Sequence, residues 1–358
     1  MKVGLSIPGA LQTEETFAFA RQMGVTHIVA HIVGGKPGMP LDEVLAGPGF
    51  PTYANDERYS LDGLLHLKEQ VEGSGMELFA IENFEPADWY DVLLDGPKRN
   101  EQMVRIKEIV RNVGSAGITT MGYNFSIAGV WGRPMLPNGR GEALSSTFDN
   151  TVQTPIPKGM VWNAVYDKDL YERSVRTEDY IDPISVDQLW DRYSRFLREI
   201  IPVAEQAGVV MALHPDDPPL EELRGTPRLI HRGHLYDRML GIVESSANAM
   251  EFCVGTLSEM PDQDIYEVVE HFVATGRIQY VHLRNVVGRV PQYRETFLDD
   301  GYVDMQRILR ILKDGGFDGV VIPDHTPFVS TSSPWHTGMA WALGWIRASM
   351  RAIDALDE

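Results

Sequence analysis

Cysteine is nearly missing from this chain: one thiol, Cys253, in 358 residues. A single cysteine cannot close an intramolecular disulfide, which excludes a disulfide-stapled secreted scaffold. A chain of this length buries a sizeable core without such staples. Positive charge is also short, with 32 Lys and Arg against 51 Asp and Glu and a net charge of −19. That balance excludes a broad basic surface for gripping phosphate backbones, so no nucleic-acid partner is expected. No apolar run approaches the roughly 18 residues of a membrane span, so no membrane partner is expected either. The stretch Met1-Lys2 to Leu11 is short, broken by Pro8-Gly9 and followed at once by acidic residues, unlike a signal peptide. A cytoplasmic location is the expectation, and the sequon at Asn124-Phe125-Ser126 is then incidental.

What the chain does have is a repeated alternation of short apolar runs with longer helical patterns. Strand-like runs occur at Val3–Ile7, His27–Val33, Glu77–Asn83, Thr119–Phe125, Val209–Pro215, Met250–Gly255, Ile278–Arg284 and Gly319–His325. They are almost continuously apolar, as strands buried on both faces of a parallel sheet are. Helical spacing appears over Glu14–Met23, Leu61–Val71, Asn100–Val113, Val186–Ala207, Asp264–Ala274, Val303–Leu312 and about His336–Ile353, and most of these patterns run into glycine, the usual left-handed stop. Eight strand-then-helix units close most simply as an α/β TIM (β/α)8 barrel. Gly34-Gly35-Lys36-Pro37-Gly38 fits neither phosphate-binding glycine pattern and reads as a plain loop. Two stretches break the rhythm: residues 126–185, dense in Gly, Pro, Trp, Tyr and charge, and a shorter segment between Pro215 and Met250 carrying Arg224, Arg228 and Arg232. The expectation is one barrel domain over 1–358, with 126–185 inserted after strand four as a cap on the C-terminal face.

Polar residues at the C-terminal ends of barrel strands are the catalytic suspects. Here they are Glu82-Asn83, Tyr123-Asn124, His214, Cys253, His282 with Arg284, and Asp324-His325. Taken singly, Cys253 between Phe252 and Val254 reads as a small core residue, and a strand-end histidine as structural. His214, Cys253, His282 and Asp324, however, fall on four successive strands at corresponding depth, which favours one shared metal ion. Two nitrogens, a sulfur and an oxygen suit Zn2+, Fe2+ or Mn2+ rather than Mg2+ or Ca2+.

Several neighbours are candidates on weaker grounds. Arg284, two residues past His282, is placed to pair with a substrate carboxylate. Asn124 is a hydrogen-bond partner for sugar hydroxyls, and Tyr123 is either catalytic or packing. Arg133, after Trp131, either reaches in from the insertion or forms a surface salt bridge. Glu82 is a strand-end carboxylate on the substrate side, and His31 lines the pocket. Glu251 shares the face of Cys253 and reads as a partner to a metal ligand. Asp216 and Asp217 read as caps of a helix following strand five. Trp341 and Trp345 read as core or interface.

The phrase Leu213-His214-Pro215-Asp216-Asp217-Pro218-Pro219 resembles the mannonate dehydratase family of xylose-isomerase-like barrels. Tyr123-Asn124-Phe125, Phe252-Cys253-Val254-Gly255, Val281-His282-Leu283-Arg284, Gly301-Tyr302-Val303-Asp304-Met305 and Pro323-Asp324-His325 are similar to it in order, over nearly the whole chain. The resemblance implies that His214, Cys253, His282 and Asp324 ligate a catalytic Mn2+, with Fe2+ the rival and Zn2+ third. It implies that His325 is an acid/base and that D-mannonate loses water to give 2-keto-3-deoxy-D-gluconate. After Asp-His the family has Gly, then Pro-Gly-Tyr with a tyrosine implicated in catalysis. Here Thr326 follows His325, and Pro334-Trp335-His336 puts His336 at the phenol's position as a catalytic candidate with a different reach. Dehydration next to a carboxylate requires a Lewis acid and a base tuned near neutrality, which a metal and a histidine supply. His325 and Asp324 are adjacent, so both can serve only if the strand bends or ends there. The alternatives are a metal-dependent sugar isomerase or epimerase on the same barrel, or a non-catalytic sugar-acid-binding protein. A homo-oligomer is expected.

Overall fold

The computed structural model describes residues 1–40, 49–151 and 153–356. The eight apolar runs form eight parallel strands: β1 (Lys2–Ile7), β2 (His27–His31), β3 (Glu77–Glu82), β4 (Thr120–Tyr123), β5 (Val210–Leu213), β6 (Asn248–Cys253), β7 (Ile278–His282) and β8 (Val320–Ile322). Each pairs with its neighbours in sequence, and β1 pairs with β8, so the sheet closes into a barrel. The crossover helices are α1 (Glu14–Gln22), α2 (Leu61–Gly73), α3 (Arg99–Ser115), α4 (Val186–Ala207), α5 (Leu235–Leu240), α6 (Ile265–Ala274), α7 (Met305–Asp314) and α8 (Pro334–Ala355). Their apolar stripes and the strands they cover make one large buried cluster. Local signals set the ends. Ser185 and Gln188 form a capping box at the start of α4, and Gly208 stops it at φ +69°. Among the described residues no helix is long and apolar enough to cross a membrane.

The insertion after β4 is built of short pieces. Its strands Met135–Leu136 and Ser145–Asp149 pair antiparallel with a hairpin, Asn285–Arg289 and Gln292–Thr296, that follows β7. The sequence reading left this hairpin unassigned. It also missed the helix Pro86–Leu94 after β3, which begins at a proline and buries two aspartates on its apolar side. Arg228, 1% exposed, ties the insertion to the segment after β5. It pairs with Asp216 at 3.0 Å and donates to Ser126 Oγ, Gly129 O and Asp217 O.

No helix follows β5 directly, so the expectation that Asp216 and Asp217 cap one is corrected. Asp216 accepts from the backbone of Leu229 and Ile230, and Asp217 turns inward.

Candidate metal centre

Strand register brings the candidate ligands level. Cys253 and His282 are the paired last residues of β6 and β7, and His214 follows β5 with its N–H bonded to Tyr123 O across the sheet. Ligand atoms of His214, Cys253 and His282 lie within 4.8 Å of one another. β8 ends at Ile322, two residues before Asp324, so Asp324 and His325 leave the strand alternation and both reach the site. Asp324 Oδ1 is 3.4 Å from His282 Nδ1 and 3.4 Å from His325 Nε2, and Asp324 Oδ2 is 3.8 Å from Cys253 Sγ.

The electrostatics favour ligand forms. Burial alone raises a thiol, yet the Arg284 guanidinium and the adjoining His214 and His282 rings hold Cys253 well below the ordinary value. Thr256 adds donors to the sulfur from its N–H and hydroxyl at 3.4 and 3.2 Å. His214 Nδ1–H donates to Pro215 O at 2.6 Å. A carbonyl only accepts, so Nε2 of His214 is left as the free donor atom. Burial likewise opposes the charge on Asp324, but His325, His282 and Arg284 keep it an anion.

The protein's own atoms do not complete the cluster. Both His282 nitrogens are buried without a formed hydrogen bond, as are both Glu251 oxygens and Glu82 Oε2. Buried polar atoms in folded proteins are nearly always satisfied, and orphans at one spot call for a missing partner. A thiolate, imidazoles and carboxylates are the donors a borderline divalent ion takes. The cluster is a buried metal-binding site whose donor set fits such an ion.

A carboxylate layer lies beneath it. Glu251 Oε1 is 3.1 Å from His282 Nε2, and Glu82 bridges His282 and His31 at 3.8 and 3.3 Å. Burial, then the charge of Glu82, pushes Glu251 up to about 8. Gly122 of β4 makes the room: a Cβ there would lie 2.6 Å from Glu251 Oε2 and would clash with Tyr280 Oη. The layer gives Glu251 the supporting place the sequence suggested and corrects Glu82. That side chain is 4% exposed and serves the layer instead of facing a substrate.

Other expectations are corrected by placement. Gly122 points inward, so alternation turns Tyr123 outward, where it is buried against Phe84 and Phe196 and bonds the Tyr193 hydroxyl at 2.9 Å. It packs and does not reach a substrate. Arg284 is fully buried, with Asp217, Glu259 and Glu295 at 2.8–2.9 Å and Asp324 at 3.0 Å, so no face is left for a substrate carboxylate. Arg133 does reach in from the insertion, but to Asp217 at 2.8 Å and Glu295 at 3.0 Å. His336 lies in the first turn of α8, bonded to Ser333 Oγ and packed on Phe19 and Trp335. None of these contacts belongs to the cluster, so its placement does not follow the expected tyrosine role. Asn124 stays at the mouth, donating to Asn83 Oδ1 at 2.9 Å, and His325 keeps 46% of its side chain exposed.

Glu259, Glu295 and Tyr293, which carry no strand-end signal, and Asp217, read above as a helix cap, complete the picture. Asp217, Glu259 and Glu295 surround Arg284 and Arg133, and Tyr293 donates to Asp217 at 2.8 Å. Burial raises a carboxylate, yet Arg284, His325 and Arg133 bring Glu295 down to about 2. The signal was the alternation Tyr293-Arg294-Glu295, which marks an inward face every second residue.

Comparison with known proteins bears on this site. A family model for D-mannonate dehydratase (UxuA) matches residues 19–342. A mannonate dehydratase of Streptococcus pneumoniae (strain 70585) is 30% identical over 344 residues, which is 89% of this chain and 93% of that one. The crystal structure of mannonate dehydratase from Streptococcus suis serotype 2 superposes with a TM-score of 0.78 at 25% identity, covering 100% of this chain and 94% of that chain. A xylose isomerase domain protein from Planctomyces limnophilus shares the fold, with a TM-score of 0.60 at 11% identity over 99% of both chains.

Proposed function

The chain belongs to the D-mannonate dehydratase family, and from that premise we propose that it is a hydro-lyase acting on an aldonic acid of the D-mannonate type. The product is the 2-keto-3-deoxy acid plus water. The observation that carries the reading is one half-exposed imidazole, His325, beside a buried cluster of metal-ligand side chains at the open end of the barrel.

His214, Cys253, His282 and Asp324 would hold the metal, Mn2+ first and Fe2+ next. When bound, that ion supplies Lewis acidity to substrate oxygens next to the proton that is lost. The rest falls to side chains. His325 takes the proton from C2, the C3–oxygen bond breaks with its electron pair on the oxygen, and the hydroxyl leaves as water with the proton that His325 hands on to it. The resulting enol becomes the 2-keto acid. A positioned histidine contributes about 10²–10⁴ to such a step. Asn124 orients hydroxyls at the mouth, while Glu251 fixes the His282 ring from below. Arg284 and Arg133 hold their carboxylates in place and leave substrate charge to the metal side.

The test is an assay of metal-stripped protein reloaded with Mn2+, Fe2+ or Zn2+ against a panel of aldonic acids, reading 2-keto-3-deoxy product. Turnover with D-mannonate or a close epimer is expected. Absence of product from every acid with every metal refutes the dehydratase reading.

A further inference from the structure

His325 has more side chain in solvent than the ligands beside it, so something must choose its orientation. Its Nδ1 faces Glu295 Oε1 at 3.2 Å and its Nε2 faces Asp324 at 3.4 Å. Glu295 is 3% exposed and is held from three sides. Arg284 Nη1 donates to the same oxygen at 2.8 Å and Arg133 Nη1 at 3.0 Å, while the Ser145 hydroxyl donates to the Glu295 carbonyl. Strand Gln292–Thr296, which carries Glu295, is itself clamped between its hairpin partner and strand Ser145–Asp149 of the insertion.

Two guanidiniums keep Glu295 an anion, and an anionic carboxylate only accepts hydrogen bonds. The proton facing it therefore sits on His325 Nδ1, and Nε2 is turned toward Asp324. We propose that Glu295, brought in by the hairpin after β7 and locked by Arg133 of the insertion, is the positioning residue of His325. It fixes the ring so that Nε2 is the atom that moves the proton. The proposal rests on the role given to His325 above. It also gives the hairpin and the insertion a joint purpose: their shared sheet sets the orientation of one catalytic imidazole.

Glu295→Ala tests this without stranding a positive charge, because Arg284 keeps Asp217, Glu259 and Asp324, and Arg133 keeps Asp217. Expected are a kcat about 10–100-fold lower, the scale of a misplaced catalytic group, a KM within about threefold and unchanged metal content. Glu295→Gln, which retains an acceptor oxygen, should recover most of the lost kcat. A second readout does not need turnover. In the zinc-loaded protein with ¹⁵N-histidine, a ring N–H signal of His325, assigned by its loss in His325→Asn, should be present in the parent and absent in Glu295→Ala. A parent protein that turns over no aldonic acid defeats the dehydratase reading while the ring signal still judges Glu295. Full kcat in Glu295→Ala, or a His325 ring signal indifferent to the substitution, overturns the positioning role.

Discussion

Replacing Arg284 by methionine separates two accounts of that residue. As a substrate-binding arginine, it would be lost with little effect on folding and with a raised KM. The structure makes it a buried hub whose guanidinium faces four carboxylates, Asp217, Glu259, Glu295 and Asp324, all within 3.0 Å, with Thr256 Oγ1 at 2.9 Å. Removing one partner of a buried ion pair costs about 3–5 kcal/mol, because the remaining charges keep their desolvation penalty. Here Arg133 still covers Asp217 and Glu295, which argues for the lower half of that range. With an m-value of about 3 kcal/mol per M in urea, the unfolding midpoint should fall by roughly 1–1.3 M. Metal binding should weaken as well, since Arg284 helps keep Cys253 and Asp324 ionised. Urea unfolding followed by tryptophan fluorescence, with metal content measured on the same samples, reads both effects. An unchanged midpoint and metal content together with a raised KM alone would return Arg284 to the substrate and refute the hub.

Cys253→Ser should weaken metal binding by at least about 100-fold, since even an outer-shell partner is worth 10–100-fold, and competition with a chelator measures it. His325→Asn should keep its metal and lose about 10²–10⁴ in kcat, read in the keto-acid assay. Glu85 carries a pH dependence away from the metal site. Burial pushes its pKa up to about 7, with its Oε1 accepting from Tyr53 N at 2.8 Å. An acid whose pKa is higher folded than unfolded binds more protons when folded, so its contribution is present below about pH 4.5 and is lost as pH rises through about 7. Glu85→Gln should therefore leave stability near pH 4 unchanged and raise it by about 3 kcal/mol near pH 8, flattening the profile of denaturant midpoint against pH.

Much of the barrel was legible because strands buried on both faces must be apolar throughout, and Val210–Leu213 or Ile278–His282 leave little else to read. The helix ends were legible for a local reason, a glycine such as Gly208 at positive φ. The strand-end candidates His214, Cys253 and His282 were legible from barrel geometry, because they end neighbouring strands, and their donor atoms converge. What failed depended on contacts distant in sequence. The hairpin Asn285–Thr296 alternates weakly and is charged, because one face meets the buried arginines and the other meets solvent. Asp217 reads as a cap until its partners, Arg133 and Arg284, 84 and 67 residues away, are folded onto it. Of the two readings open to Tyr123, catalytic or packing, Gly122 decides for packing by pointing inward one step of alternation away. Arg284 looked available because a sequence does not show how many carboxylates converge on one guanidinium.

The proposed chemistry stands on one divalent ion held among His214, Cys253, His282 and Asp324. Crystals of protein reloaded with Mn2+, measured on both sides of the manganese absorption edge, test it most directly. One strong anomalous peak is expected within about 2.5 Å of the Cys253 sulfur and of donor atoms from the two histidines and Asp324. A peak centred instead on Glu82 and Glu251, or no peak in protein that turns over substrate, would contradict it.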